Sequence, residues 1–195
     1  MNLFYKFTFW NDSGTIKETI PIQAKSFLKP FVWALNAALA QTVASSAMLD
    51  IYGSPLLINT MTPTLMADHA GGDTVNQSIR GIVVGTGTNA VTVDDYKLQT
   101  QILHGITTGK LEYLSCAATN LVVTGATYSF DLERVFKNSS GGAIAVSEIG
   151  IYAYCWYYAY PSTYSYFAMV RDIVSPAESI ADGTYMKITY TFQIT

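Results

Sequence analysis

From Arg80 to Thr195 the sequence breaks into short β-branched and aromatic runs separated by glycine-bearing turns, and this spacing limits the available folds more than any other feature. The runs are 81–84, 101–106, 110–117, 127–135, 144–158, 164–171 and 184–194, with turns at Gly85-Thr86-Gly87, Asn138-Ser139-Ser140-Gly141-Gly142 and Asp182-Gly183. Strands at such intervals predict an antiparallel sandwich or barrel. The last run alternates, with Met186, Ile188, Tyr190, Phe192 and Ile194 on one face and Lys187, Thr189, Thr191 and Gln193 on the other. One of its faces is therefore core. No repeat of 20–50 residues is visible, which argues against a solenoid or propeller.

The N-terminal part reads differently. Runs 3–10 and 15–22 flank Asn11-Asp12-Ser13-Gly14, residue types that tolerate tight-turn backbone angles, and so predict a β-hairpin. Leu28, Phe31, Val32, Leu35, Leu39 and Val43 then recur at spacings of three and four, predicting a helix over 28–47 with Pro30 in its first turn. No charge occurs between Lys29 and Asp50, but Asn36, Gln41, Thr42, Ser45 and Ser46 interrupt the apolar run and it lacks basic flanks, so no membrane span is predicted. A helix so poor in charge is expected to be covered, by its own sheet or by a neighbouring subunit. Residues 52–78 read as loop with one short strand at 56–59, long enough to serve as an arm between subunits. The expected organisation is an N-terminal hairpin, helix and extended arm over 1–79 and an antiparallel β-sandwich over 80–195. The fold class is mainly β.

Composition narrows the function. The 195 residues carry 14 acidic and 11 basic side chains, a net charge of −3, which excludes the broad basic footprint of a nucleic-acid binder. Only 13% of residues are charged, about half the usual quarter. Thr, Asn, Ser, Gly and Tyr then supply hydrogen bonding without self-repulsion, which suits subunits that pack by symmetry. Cys116 and Cys155 form no metal or redox motif and read as structural thiols. The first residues lack a secretory pattern, so synthesis and initial residence in the cytoplasm are expected.

The usual catalytic constellations are not formed. His69 and His104 are the two histidines, and neither lies near a GxSxG elbow. Gly85-Thr86-Gly87-Thr88 is too short for a P-loop, and Ala90 stands where a dinucleotide motif needs its third glycine. Asp68-His69-Ala70-Gly71-Gly72-Asp73 lacks the acidic spacing of an EF-hand. Asp94 and Asp95 read as turn-initiating residues, Glu133 and Glu148 as isolated carboxylates, and the Asn-Ser-Ser at Asn138 as turn chemistry. No enzymatic activity, cofactor or metal is predicted.

The most biased segment is 152–167, which holds seven of the 14 tyrosines. On a strand Tyr152, Tyr154, Trp156, Tyr158 and Tyr160 face one way, and a turn at Pro161-Ser162-Thr163 leads into Tyr164 and Tyr166. Three readings stand open. The rings fill the second face of the sandwich, or form a subunit interface, or present a ladder to a host glycan or receptor. The candidate contact residues are Tyr154, Trp156, Tyr158, Tyr160, Tyr164 and Tyr166, and the turn-shaping residues are Gly85, Gly87, Asp94, Asp95, Gly141 and Gly142.

The run from Gly81 to Ile102, GIVVGTGTNAVTVDDYKLQTQI, resembles a pattern common in structural proteins of tailed bacteriophages, VGTGTT-P-DDT-L---I, which follows a strand and precedes an antiparallel sandwich. Val91 stands where that pattern has proline. Residues 134–152, RVFKNSSGGAIAVSEIGIY, and 169–173, MVRDI, fit the same family in the same order. The resemblance covers 80–195. It implies a virion protein of the tail, tail tip, collar or head decoration, made in the host cytoplasm, assembled as a ring or trimer with other virion proteins. The alternative is a host-receptor or glycan-binding module of a tail fibre or spike, although no heptad or fibrous repeat of a shaft is present.

Overall fold

In β1 (Asn2–Asn11) the side chains of Leu3, Tyr5, Phe7 and Phe9 are buried while those between them are partly exposed, the period-two signature of a strand with one core face. The computed structural model describes residues 1–24, 26–40, 48–56, 76–157 and 163–195. At the turn after β1 the Asn11 Oδ1 accepts the Ser13 amide at 2.9 Å and Gly14 takes a positive φ of 123°. The chain returns as β2 (Gly14–Glu18), and a short β3 (Ile22–Gln23) pairs lower on β1. A helix α1 (Lys29–Ala40) and the small pair β4 (Met48–Leu49) and β5 (Pro55–Leu56) follow. The remaining strands are β6 (Gly81–Gly85), β7 (Glu112–Ala118), β8 (Val122–Thr124), β9 (Thr127–Lys137), β10 (Ile144–Tyr157), β11 (Thr163–Ile180) and β12 (Tyr185–Ile194).

Two antiparallel sheets pack together. The larger has the order β2-β1-β12-β9-β7, with β3 added to β1 and β8 to β9, and the smaller has the order β11-β10-β6. Because β1 pairs with β12 from Asn2–Gln193 to Trp10–Tyr185, the first hairpin is built into the same sheet as the last strand. The apolar faces of both sheets meet in one cluster that includes Phe7, Ile188 and Phe136 from the larger sheet and Val84, Ile149 and Phe167 from the smaller. Each such side chain contributes roughly 1.5–3 kcal/mol by leaving water. Among the described residues three hydroxyls cross the gap: Tyr5 donates to the Ile173 carbonyl at 3.4 Å, Tyr190 to Asp172 Oδ2 at 3.3 Å, and Tyr113 accepts the Val84 amide at 3.3 Å.

A charged side chain also lies in this interior. Arg134 of β9 is fully buried, and its guanidinium donates to the carbonyls of Leu114, Gln77, Arg80 and Ile82. Backbone dipoles thus replace water around a guanidinium and stitch the entry of β6 to the larger sheet.

The predicted mainly β sandwich with an N-terminal hairpin is the fold observed. Three details differ. The segment 101–106 forms isolated bridges, Gly85–Gln101 and His104–Leu111, because it is spent on covering the edge of β6, with the Ile102 amide on the Val84 carbonyl at 2.9 Å. β11 runs on to Ile180, because a register shift opposite Val146–Glu148 takes up the Ser175-Pro176 stretch and pairing resumes at Glu178. β8 is an additional strand, turned into β9 through Gly125 at φ +60°.

The helix has 12 residues, with Pro30 in its first turn as predicted, and residues 41–47 of the expected span lie outside the described residues. It packs against β11, where the Leu28 amide bonds the Met169 carbonyl at 2.9 Å. No helix among the described residues is long and apolar enough to cross a membrane. Of the predicted strand at 56–59 only Leu56 is described, and most of the predicted arm, residues 57–75, lies outside the described residues.

Candidate functional site

The smaller sheet is built around a carboxylate. Glu148, in the central strand β10, is fully buried and accepts four hydrogen bonds. Its Oε1 takes the amides of Gly87 at 3.0 Å and Thr100 at 2.7 Å, and its Oε2 takes the Gln99 amide at 3.0 Å and Arg171 Nε at 2.9 Å. The β10–β11 register sets Glu148 opposite Ile173 and Gly150 opposite Arg171, so the two charged side chains meet diagonally across the strand pair.

Arg171 is committed on every nitrogen. Besides Nε on Glu148, one terminal nitrogen donates to Asp95 Oδ2 at 2.7 Å and the other to the Asn89 carbonyl at 3.1 Å. Asp95 in turn accepts the Thr92 amide at 3.0 Å and the Thr92 hydroxyl at 2.9 Å. Partial burial pushes the Asp95 carboxyl up, but the Thr92 amide, Arg171 and the Thr92 hydroxyl outweigh it and hold its pKa below the ordinary value. For Arg171 the cost of burial is likewise exceeded by Glu148 and Asp95, which raise its pKa.

This network explains the glycines at the end of β6 and just after it. A Cβ on Gly87 would stand 2.5 Å from Glu148 Oε1 and 2.6 Å from Gln99 Cβ, and one on Gly85 would stand 2.5 Å from the Thr100 carbonyl oxygen. Glycine is needed there for close approach of backbone to carboxylate. The loop beyond is held by Gln99 Oε1, which accepts the Thr88 and Asn89 amides, and by the Tyr152 hydroxyl, which accepts the Leu98 amide at 2.6 Å. The result is one folded unit made from 85–101, β10 and β11.

The arrangement therefore holds backbone. An open hollow of about 460 Å³ lies outside it, lined by Asn89, Thr92, Asp95, Lys97, Gln99 and Arg171, but the guanidinium at its floor is spent on the protein. Asp94, on the rim of this hollow, pairs with Lys29 at 2.9 Å at the surface. Gly141 takes φ +85° in the β9–β10 turn and its amide bonds Asp182 Oδ1 at 2.9 Å, while Gly142 gives its carbonyl to the buried Asn138 side chain at 2.8 Å. Asn138 also reaches the Ile180 carbonyl at 2.9 Å, so its amide is turn structure.

The aromatic segment is placed in part. Tyr152 is core, bonded to the Leu98 amide. Tyr154 and Tyr166 are half-buried and meet edge to face at 5.5 Å, with the Arg80 guanidinium over Tyr154 at 5.3 Å. Trp156 and Tyr164 are opposite one another in the β10–β11 register, but their side chains, like Tyr158 and Tyr160 altogether, lie outside the described residues. The Asp68–Asp73 loop with His69 lies outside them too. Glu133 is on the outer face of the larger sheet with Lys187 at 2.9 Å, and His104 Nδ1 accepts the Tyr113 amide at 3.1 Å.

Sequence reasoning passed over Arg171 and treated Glu148 as isolated. The available signal was charge inside apolar strands, Glu148 alone in β10 and Arg171 beside Asp172 in β11, since a charge at such a position is tolerated only with a partner. No family model, curated protein or solved structure matches the chain.

Proposed function

We propose that this chain is a non-enzymatic structural subunit of a tailed-phage virion, making symmetric subunit contacts in the tail, tail tip or head–tail junction. The observation that carries this reading is the convergence of the three segments that resemble phage structural proteins. Gly85, Gly87 and Asp95 come from the first, Glu148 from the second and Arg171 from the third, and they meet in one buried network. Three matches that share a single physical cause support one family pattern better than three separate glycine turns would. The low-charge surface agrees with close packing of identical copies.

The test is a cryo-EM reconstruction of intact tailed-phage particles, with this chain located in it. A closed ring or trimer of the chain inside the particle supports the proposal, and its absence from purified particles overturns it. A chain at a distal tip with the 152–167 hairpin pointing outward replaces it with the receptor- or glycan-binding reading.

A further inference from the structure

The inner face of the larger sheet outruns its cover. Across β9 and β12 the register gives the inward rows Phe136–Met186, Arg134–Ile188, Leu132–Tyr190, Phe130–Phe192 and Tyr128–Ile194. The first three rows are buried. In the last two, Phe130 is 37% exposed, Tyr128 48% and Ile194 55%, although Phe130 and Phe192 stack at 4.7 Å like core residues. β8 extends this apolar end sideways, because Val123 is paired with Tyr128 and so shares its face. Leu121, Val122 and Val123 are each more than half exposed.

This end also has a strand edge that no other described strand pairs. Among the described residues β8 pairs with β9 alone, and its outer edge carries none of the usual guards: residues 113–130 contain no charge and no proline. The adjoining stretch 188–195 is also free of charged side chains. Half-exposed side chains of this size leave on the order of 500 Å² of contiguous apolar surface, at the upper end of what monomers show and a large part of the ~800 Å² per partner in a standard interface.

We propose that a second copy of this chain docks here, β8 edge to β8 edge and antiparallel, across a two-fold axis that brings the two Tyr128–Ile194 ends together. Charge selects the occupant. A patch with no charged side chain meets its own copy without like-charge repulsion even though each chain carries a net charge of −3, whereas a charged partner gains nothing from it. Antiparallel edge pairing is itself a two-fold operation, so each copy presents the surface the other needs. In such a pairing centred on Val122, Leu121 of one copy faces Val123 of the other, continuing a seven-stranded sheet into its mate. This inference does not depend on a virion role.

The test is sedimentation velocity of the full chain over roughly 1–200 µM, with Val123→Lys and Leu121→Lys compared against the parent. Both positions are exposed, and circular dichroism with thermal melting checks that each variant folds. The expected result is a parent chain that self-associates and variants whose dissociation constant rises at least tenfold. A parent that stays monomeric throughout overturns the proposal, and so does association untouched by both lysines. The latter result places the self-contact elsewhere and leaves the virion reading intact, while particles lacking the chain remove the virion reading and leave this one.

Discussion

Arg171→Met is the sharpest test of the buried network. Methionine fills most of the volume of the arginine stem but strands the Glu148 carboxylate, which keeps three backbone amides and loses its countercharge. Both side chains are nearly inaccessible, at 3% and 0%, so the interaction is not screened away by solvent. Breaking a buried pair from one side costs about 3–5 kcal/mol, and the three remaining amides set the expectation at about 3 kcal/mol. For a chain of 195 residues that lowers the melting temperature by about 6–12 °C. The assay is equilibrium urea unfolding followed by circular dichroism at fixed protein concentration. The parent, Arg171→Met, Glu148→Gln and the double variant form one cycle. Glu148→Gln is itself destabilising, because its amide group must face either the Gln99 amide or the Gly87 and Thr100 amides, a donor against a donor. Removing the charge relieves what Arg171→Met strands, so the double variant should lose about 1–3 kcal/mol less than the two singles together. Additivity within about 0.5 kcal/mol would refute the network as a coupled unit.

Gly87→Ala should cost about 2–4 kcal/mol by forcing the loop off Glu148, whereas Gly142→Ala, where a Cβ meets nothing within 4 Å, should change stability by less than about 0.5 kcal/mol, both read by thermal melting. The depressed Asp95 pKa gives stability that is present above the unfolded value of about 4 and lost as pH falls through the lower folded value. Asp95→Asn should therefore be less stable than the parent at pH 7, and the gap should close on titration toward pH 2; a gap constant with pH argues against the assignment. Burial pushes the phenols of Tyr5 and Tyr113 up to about 12, so they stabilise the fold fully below pH 10 and this contribution is lost as pH rises toward 12. Absorbance at 295 nm should then show tyrosines that ionise late and together with unfolding, and a single smooth titration near pH 10 would contradict their burial.

How far the sequence can be read follows the range of each signal. Alternation in β12 and in β1 is local, repeating every two residues, and the strands stand where the pattern puts them. The glycines at 14, 141 and 183 take positive φ in local bends, whereas Gly85 ends β6 and Gly87 follows it in extended loop. What sequence alone hides is why Gly87 must be glycine, since the atom that forbids a Cβ belongs to Glu148, 61 positions away. Arg171 and Asp95 are 76 positions apart, and the strand pairing that joins Arg171 to Glu148 becomes visible only once the register is known. β8 escaped for the opposite reason. Leu121-Val122-Val123-Thr124 is too short to show a period and has no alternation, and it is a strand because β9 lies beside it.

These two kinds of hidden information have different consequences for function. The residues that carry the resemblance to phage structural proteins are spent on holding the 85–101 loop against β10 and β11, with every hydrogen-bonding nitrogen of Arg171 turned inward. Such a motif specifies a fold unit, and a fold unit serves many positions in an assembly. On the proposals above, position would be set by surfaces the motif does not use, such as the uncharged end of the larger sheet around β8. Substitutions in the network should therefore lower stability without redirecting any partner, and lysines at Leu121 or Val123 should redirect association without lowering stability. Sedimentation and melting measured on the same variants separate the two effects. A network variant that folds as well as the parent yet fails to associate would break the division between them.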